Sequence, residues 1–417
     1  MNFKKFQFDF KLIQFSLLGL CIIASYGFAR PVTDSLFVEH HGAQNFPLVY
    51  LLSPFMTALV MIVYNYFNTR YSLIYLLGCS GIISILIMLI CLLLYKIGTP
   101  GSVYMLYIWR EVYMVLMIEI FWSLADTLFS LKSARKSYGF VLAISSFGGF
   151  SNLLVGLVAR RYGTQNALFG VIPCLLGCTL LTWIFAKSNN MKSTATPIAG
   201  SEQKRTFGIQ GISVIRASKY LLPLMFLIGI VQISISLIDL QFNTLLQKTY
   251  SDMDTRTEII GKVHTLDNSI AALLQFFSGY ILKFLGINGV FVGIPIVLGV
   301  ALTGFIILPH FYMATLLKVI SKCFDYSIFR SSKEMLYIPL NHLEKTQGKA
   351  LIDILVYRAA KSSAALLMIF LLAFGLTSFS MHIVLFLMSI WIFLAAIIIK
   401  RYEKLISSSI VPDNENL

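Results

Sequence analysis

Apolar residues along this chain come in runs of roughly 18 to 25, broken by short polar stretches. A helix of that length, rising 1.5 Å per residue, crosses a bilayer core of about 30 Å. Lipid offers no partner for backbone N–H and C=O groups, so each run must satisfy them internally, which selects the helix. The runs fall at residues 12–29, 46–67, 72–95, 103–131, 138–159, 166–186, 220–240, 260–282, 287–308, 311–329, 350–375 and 378–399. They predict twelve spans in two sets of six, with charge interrupting the fourth, tenth and eleventh. The expected fold class is an all-α integral membrane bundle.

The longest polar stretch, 187–219, is rich in Ser, Thr, Gly and Lys and has no hydrophobic period. It reads as a flexible linker between a six-helix half over 1–186 and a second half over 220–399, with a tail over 400–417. This 6+6 layout is that of major-facilitator-type carriers, whose substrate site lies near the midplane. Lys4, Lys5 and Lys11 before the first run imitate a secretory signal. Ala29-Arg30-Pro31 is a poor cleavage context, so an uncleaved first helix is expected.

Composition agrees with a membrane protein. Hydrophobic residues make up 57% of the chain and charged residues 12%, about half the charge of a soluble domain. The net charge of +14 lies outside the spans. Within them stand Arg110, Lys262, Lys318, Lys322, Arg358 and Lys361 against Glu111, Glu119, Asp126, Asp239, Asp267, Asp325 and Asp353, a set that is nearly neutral. With the N-terminus placed in the cytoplasm, 21 loop cations fall inside and 6 outside. The positive-inside rule therefore puts both termini in the cytoplasm. The basic charge is explained by orientation, and no nucleic-acid partner is implied. The six cysteines all lie in apolar segments without metal-ligand or CxxC spacing, so neither a disulfide nor a metal is expected.

An ionisable residue at a helix centre costs about 2.5–3.5 kcal/mol on insertion scales, so those in the spans should face the bundle interior and pair there. Several stand at helical spacing. Gln232, Ser236, Asp239 and Asn243 stripe the seventh span; Lys318, Lys322 and Asp325 the tenth; Glu119, Trp122 and Asp126 the fourth; His264, Asn268 and Gln275 the eighth. Polar faces in an otherwise apolar bundle suit a water-filled pathway. Ser145, Gly149, Asn152 and Gly156 form a small-residue face that reads as close helix packing. No phosphate loop of Walker type, HExxH or Gly-x-Ser-x-Gly occurs, so an enzyme is not expected and no cofactor is implied.

Residues 327–365 read SIFRSSKEMLYIPLNHLEKTQGKALIDILVYRAAKSSAA. This block resembles the signature of the ATP/ADP translocase family, the nucleotide transporters of intracellular bacteria and plastids: S-L-F-D-P-T-K-E-M-A-Y-I-P-L, then K-x-K-G-K-A-A-I-D, then R-x-G-K-S-G-G. The matching residues are Lys333, Glu334, Met335, Tyr337, Ile338, Pro339 and Leu340, then Gly348, Lys349, Ala350, Ile352 and Asp353, then Arg358, Lys361 and Ser362. Phe121-Trp122-Ser123-Leu124-Ala125-Asp126 with Ala134-Arg135-Lys136 is similar to the family's F-W-x-x-A-N and A-K-R segment. Asp239-Leu240-Gln241-Phe242 resembles an acidic-x-Gln-Phe element, and Arg30-Pro31-Val32-Thr33-Asp34 the R-D-T-K-D block that closes the first helix. The chain departs from the family at Pro31 and Thr33, which replace an Asp and a Lys, at Asp126 for Asn, and at Ala360, Ser363 and Ala364 for glycines.

The resemblance implies nucleotide exchange by alternating access in a bacterial cytoplasmic membrane, by a chain that works as a monomer. A nucleotide's phosphates need ammonium and guanidinium partners. Lys361, Arg358 and Lys333 are the first candidates, supplemented by Lys318, Lys322 and Arg30, with Trp122, Tyr357 or Phe242 to stack a base. Asp353 is expected to hold Lys361 in the empty site. Glu119, Asp126 and Asp239 are candidates for coupling, and Lys333, Glu334, Lys345 and Lys349 for an inner gate in a cytoplasmic loop. Proton-coupled transport of another polar solute, and a non-transporting membrane partner or receptor, stay open beside nucleotide exchange.

Overall fold

The structure is a computed structural model that describes residues 3–129, 131–188, 209–341 and 344–410. The central part of the expected linker, 189–208, and the end of the tail, 411–417, lie outside the described residues. Among the described residues the secondary structure is helical throughout. The helices are α1 (Phe3–His41), α2 (Phe46–Asn68), α3 (Leu73–Lys96), α4 (Ser102–Leu128), α5 (Leu131–Ser146), α6 (Ser151–Tyr162), α7 (Val171–Ser188), α8 (Ile209–Ala217), α9 (Leu221–Thr249), α10 (Met253–Ile307), α11 (Phe311–Phe324), α12 (Arg330–Leu336), α13 (Tyr357–Ala373) and α14 (Ser380–Ile410). Eight helical stretches are long and apolar enough to cross a membrane. Ser102–Leu128 and the segments carrying Lys318–Asp325 and Asp353–Lys361 are not among them. Those three stretches hold most of the intramembrane charge.

Two helix ends differ from the hydrophobic runs. α1 continues to His41, a dozen residues past its apolar run, so Arg30, Thr33 and Asp34 are helical rather than in a loop. The charged residues end the hydropathy signal without ending the hydrogen-bond ladder. α10 contains one non-helical residue, Gly286, at φ 66° and ψ 174°, a conformation that glycine adopts without a Cβ penalty. It separates the eighth and ninth predicted spans, which a short polar loop was expected to join.

The chain divides into two compact units. The first comprises Met1–Gly200 with Tyr250–Asn268. Its core is α1, packed by α4, α5 and α7 around Phe15, Phe37, Phe46 and Phe185, all essentially without exposure. The predicted small-residue face does pack closely. A Cβ on Gly149 would lie 3.1 Å from Asn268 Nδ2, and one on Gly156 would lie 3.0 Å from Glu258 Cα. The start of α10 is thus drawn against α6. Asp254 accepts from the Thr164 backbone N–H and hydroxyl, each at 2.7 Å, and Arg256, buried, bonds Glu39.

The second unit comprises Ser201–Thr249 with Ser269–Leu417. Here α9 is central and packs on α11, α13 and α14. Three π-helical turns interrupt its helices: Asp325–Phe329, Glu344–Gly348 and Ile352–Val356. Such turns add a residue to a helical repeat and often occur at functional positions. Two of them carry the acids Asp325 and Asp353.

Candidate functional site

The polar stripes of α9 and α11 meet inside the second unit. Asp239, 6% exposed, lies between two lysines: Lys322 Nζ is 2.7 Å from Oδ2 and Lys318 Nζ 3.6 Å from Oδ1. Lys318, 3% exposed, also stands over the Phe242 ring at 3.8 Å, where the ring's negative face favours a cation. Two turns toward the start of α9, the Gln232 amide donates to Asp325 Oδ1 at 2.9 Å. Lys318 and Lys322 thus stand against Asp239 and Asp325, a cluster balanced in formal charge, whose ammonium groups can turn to an anionic guest that takes the place of a carboxylate.

A second pair joins α12 to the π-helical turn before α13. Lys333 Nζ donates to Asp353 Oδ1 at 2.7 Å, is 3.4 Å from the Tyr357 hydroxyl and stands 5.0 Å from that ring's centroid. This corrects two expectations. Lys333 is in a helix and 5% exposed, not in an open loop. The lysine that Asp353 holds is Lys333, because helix packing brings α12 beside it, whereas Lys361 is two turns further along Asp353's own helix. Arg358 and Lys361 are half-buried on α13. Glu334 and Lys349 form a separate, more exposed pair at 2.6 Å. Of the inner-gate candidates, Lys333 is thus buried against Asp353, Glu334 and Lys349 pair nearer the surface, and Lys345 is exposed.

In the first unit Arg110 is the most deeply buried charge, at 1% exposure. It donates to Asp34 at 2.7 Å and to Glu111 at 2.9 Å, and lies 4.1 Å from the Tyr107 ring centroid. Arg30 stands one turn before Asp34, at 4.0 Å. Thr33 is buried and bonds back to the Ala29 and Arg30 carbonyls. Trp122 packs edge-on against Phe121 and Tyr138. Asp126 is exposed and accepts from the Tyr138 hydroxyl at 2.6 Å, and Glu119 is half-buried on the same helix. His264 and Asp267 are buried 3.4 Å apart, which separates them from the more exposed Asn268 and Gln275 of their stripe.

Sequence reasoning passed over Arg110 and Arg256 as site residues. In the sequence Arg110 is one of several intramembrane charges, and Arg256 falls between the apolar runs 220–240 and 260–282. The available signal was Arg110-Glu111 adjacent within an apolar run, a costly placement unless a third charge answers it.

The family model described as TLC ATP/ADP transporter matches residues 307–402, the stretch that holds Lys318, Lys322, Asp325, Lys333, Asp353, Arg358 and Lys361. Among curated relatives, "ADP,ATP carrier protein 1" of Chlamydia pneumoniae is 28% identical over 42% of this chain and 39% of its own length. "ADP,ATP carrier protein 3" of Rickettsia conorii is 23% identical, and the alignment covers 94% of each chain. Among solved structures, the nucleoside transporter NupG superposes with a TM-score of 0.66 at 11% identity, over 95% of this chain and 99% of that one, which establishes a shared major-facilitator-like fold. Matches to these carriers run along nearly the whole chain, and the family model falls on the segment where the buried lysines and acids gather. The chain is thus similar to ATP/ADP carriers, over its C-terminal segment by the family model and along most of its length by the Rickettsia relative.

Proposed function

We propose that this multi-pass membrane protein exchanges nucleotides of the ATP/ADP type by alternating access. The observation that carries the proposal is the Lys318–Asp239–Lys322 cluster, one buried and one partly buried cation sharing one carboxylate. A phosphate group offers the geometry and charge to replace that carboxylate. Lys333, Arg358 and Lys361 supply further cations from the same unit, and Arg30 is a separate candidate cation within the first unit. Phe242 and Tyr357 are the rings of this unit for a base. When the site is empty, Asp239 and Asp353 hold the lysines that a substrate would engage. That internal pairing makes return of an empty carrier slow, the behaviour of an exchanger.

The proposed frame is twelve crossings in two halves, 1–186 and 220–399, linked through 187–219, with both termini cytoplasmic, in a bacterial inner membrane and active as a monomer. The loop charge bias supports the orientation. Proton-coupled transport of another polar solute is the second reading. Asp325 favours it, because its hydrogen-bond donor is the neutral amide of Gln232, and protonating it breaks no ion pair at that contact.

The test is uptake of labelled ATP and ADP into bacterial cells expressing the protein, with and without preloaded counter-substrate and with an uncoupler. Stimulation by counter-substrate that survives the uncoupler is expected. Uptake that collapses with the uncoupler supports the second reading, and movement of another solute alone removes the nucleotide assignment.

A further inference from the structure

We propose that Arg110 is a positioning residue that sets the strength of Arg30 as an anion-binding group by drawing Asp34 away from it. The inference rests on the nucleotide reading above. Asp34 has two basic neighbours in the first unit. Arg110 Nη1 holds Asp34 Oδ1 at 2.7 Å, whereas Arg30 Nε is 4.0 Å from Oδ2. Arg30 precedes Asp34 by four residues on α1, the spacing at which side chains on one helix face meet. The loose contact is therefore not imposed by the helix. It reflects competition, which the better-placed guanidinium of Arg110 wins.

The burial of the two arginines divides their roles. Arg110 is 1% exposed, wedged between Asp34, Glu111 and the Tyr107 ring, and its Nε has no hydrogen-bond partner among the described residues. It is enclosed by protein and not placed to touch a solute. The Arg30 side chain is 22% exposed. Arg110 Nη1 also reaches the Arg30 carbonyl oxygen at 3.4 Å, and the Thr33 hydroxyl bonds the same oxygen at 3.1 Å. α1 is thus gripped from α4 at the residue whose side chain is the candidate ligand. Thr33 leaves room for that grip, since an ammonium there would stand beside the guanidinium and repel it.

Without Arg110, the Asp34 carboxylate is expected to close on Arg30 as an i, i+4 ion pair. A nucleotide phosphate must then displace it. In transport assays Arg110→Gln should raise the half-saturating ADP concentration roughly tenfold, the size of one charge-assisted contact, with a smaller change in maximal rate. Arg110→Gln with Asp34→Asn should bring half-saturation back toward the original value, because Asp34 then no longer competes for Arg30. Asp34→Asn alone should leave half-saturation equal or lower, and it gives the answer if Arg110→Gln fails to reach the membrane. A merely structural Arg110 would lower protein level and maximal rate without raising half-saturation, and Asp34→Asn would rescue nothing; that result, or a rise in half-saturation with Asp34→Asn alone, overturns the inference. If the unaltered protein moves neither ATP nor ADP, the nucleotide reading falls and this inference with it. If it moves them and the double variant stays weak, this inference alone falls.

Discussion

Lys322 on α11 reaches Asp239 on α9 at 2.7 Å, and Lys318, one turn earlier on α11, approaches the same carboxylate at 3.6 Å. The contact converts two separate polar stripes into one charged cluster. It also makes Asp239 the group whose loss has opposite effects on two properties. Without it, Lys318 and Lys322 lose the carboxylate they share, and a polyanion becomes a stronger partner for both.

Asp239→Asn should therefore slow exchange more than it weakens binding. Removing one member of a buried ion pair costs roughly 3–5 kcal/mol of stability, part of which a bound nucleotide restores. Thermal stability of the purified variant should fall in the absence of ADP and recover with it, while counter-exchange in vesicles drops steeply. Exchange at the original rate with an unchanged pH profile would reduce Asp239 to a structural residue.

Lys361→Gln keeps a donor but removes a cation, and should weaken ATP or ADP by about ten- to hundred-fold, equivalent to ~1.5–3 kcal/mol. Lys361→Arg should retain more activity. Asp353 needs no compensating change in this series, since its hydrogen-bonded lysine is Lys333. The compensated pair is Lys333→Gln with Asp353→Asn, which should restore the protein level lost in Lys333→Gln without restoring transport. Competition binding against labelled ADP, beside immunoblots of the membrane fraction, separates the two outcomes.

The seam between α6 and the start of α10 depends on small residues. A Cβ on Gly261 would lie 2.2 Å from the Asn152 carbonyl oxygen, so Gly261→Leu should force the helices apart and cost about 1–3 kcal/mol. Gly279, in the same helix, has no neighbouring atom within 4 Å of an added Cβ. Gly279→Ala should be neutral or stabilising by up to about 1 kcal/mol through helix propensity. Melting temperatures in detergent test the contrast, and equal losses at both positions would contradict it.

Topology is open to direct labelling. Tags at Lys204 and at the C-terminal tail should report the cytoplasm, and a cysteine placed at Gly42 should react with an impermeant reagent in intact cells. The loop bias of 21 cations against 6 motivates this orientation. Labelling at Gly42 only after permeabilisation would reverse it.

Hydrophobic length, helical spacing and loop charge are local properties, and they alone determined that this chain is a helical membrane protein with polar stripes on particular helices. The block from Ser327 to Ala365 likewise carried the family resemblance without any tertiary information. Partners were decided only in three dimensions. That Asp353 binds Lys333, that Arg110 takes Asp34 from Arg30, and that Arg256 bonds Glu39 all depend on the rotation and register of neighbouring helices. A stripe states which face of a helix is polar, but not which helix answers it. Charges also end a hydropathy run before they end a helix, which is why the helical course of Arg30 to His41 and the burial of Lys333 became visible only once the packed structure supplied the carboxylates that make those cations tolerable.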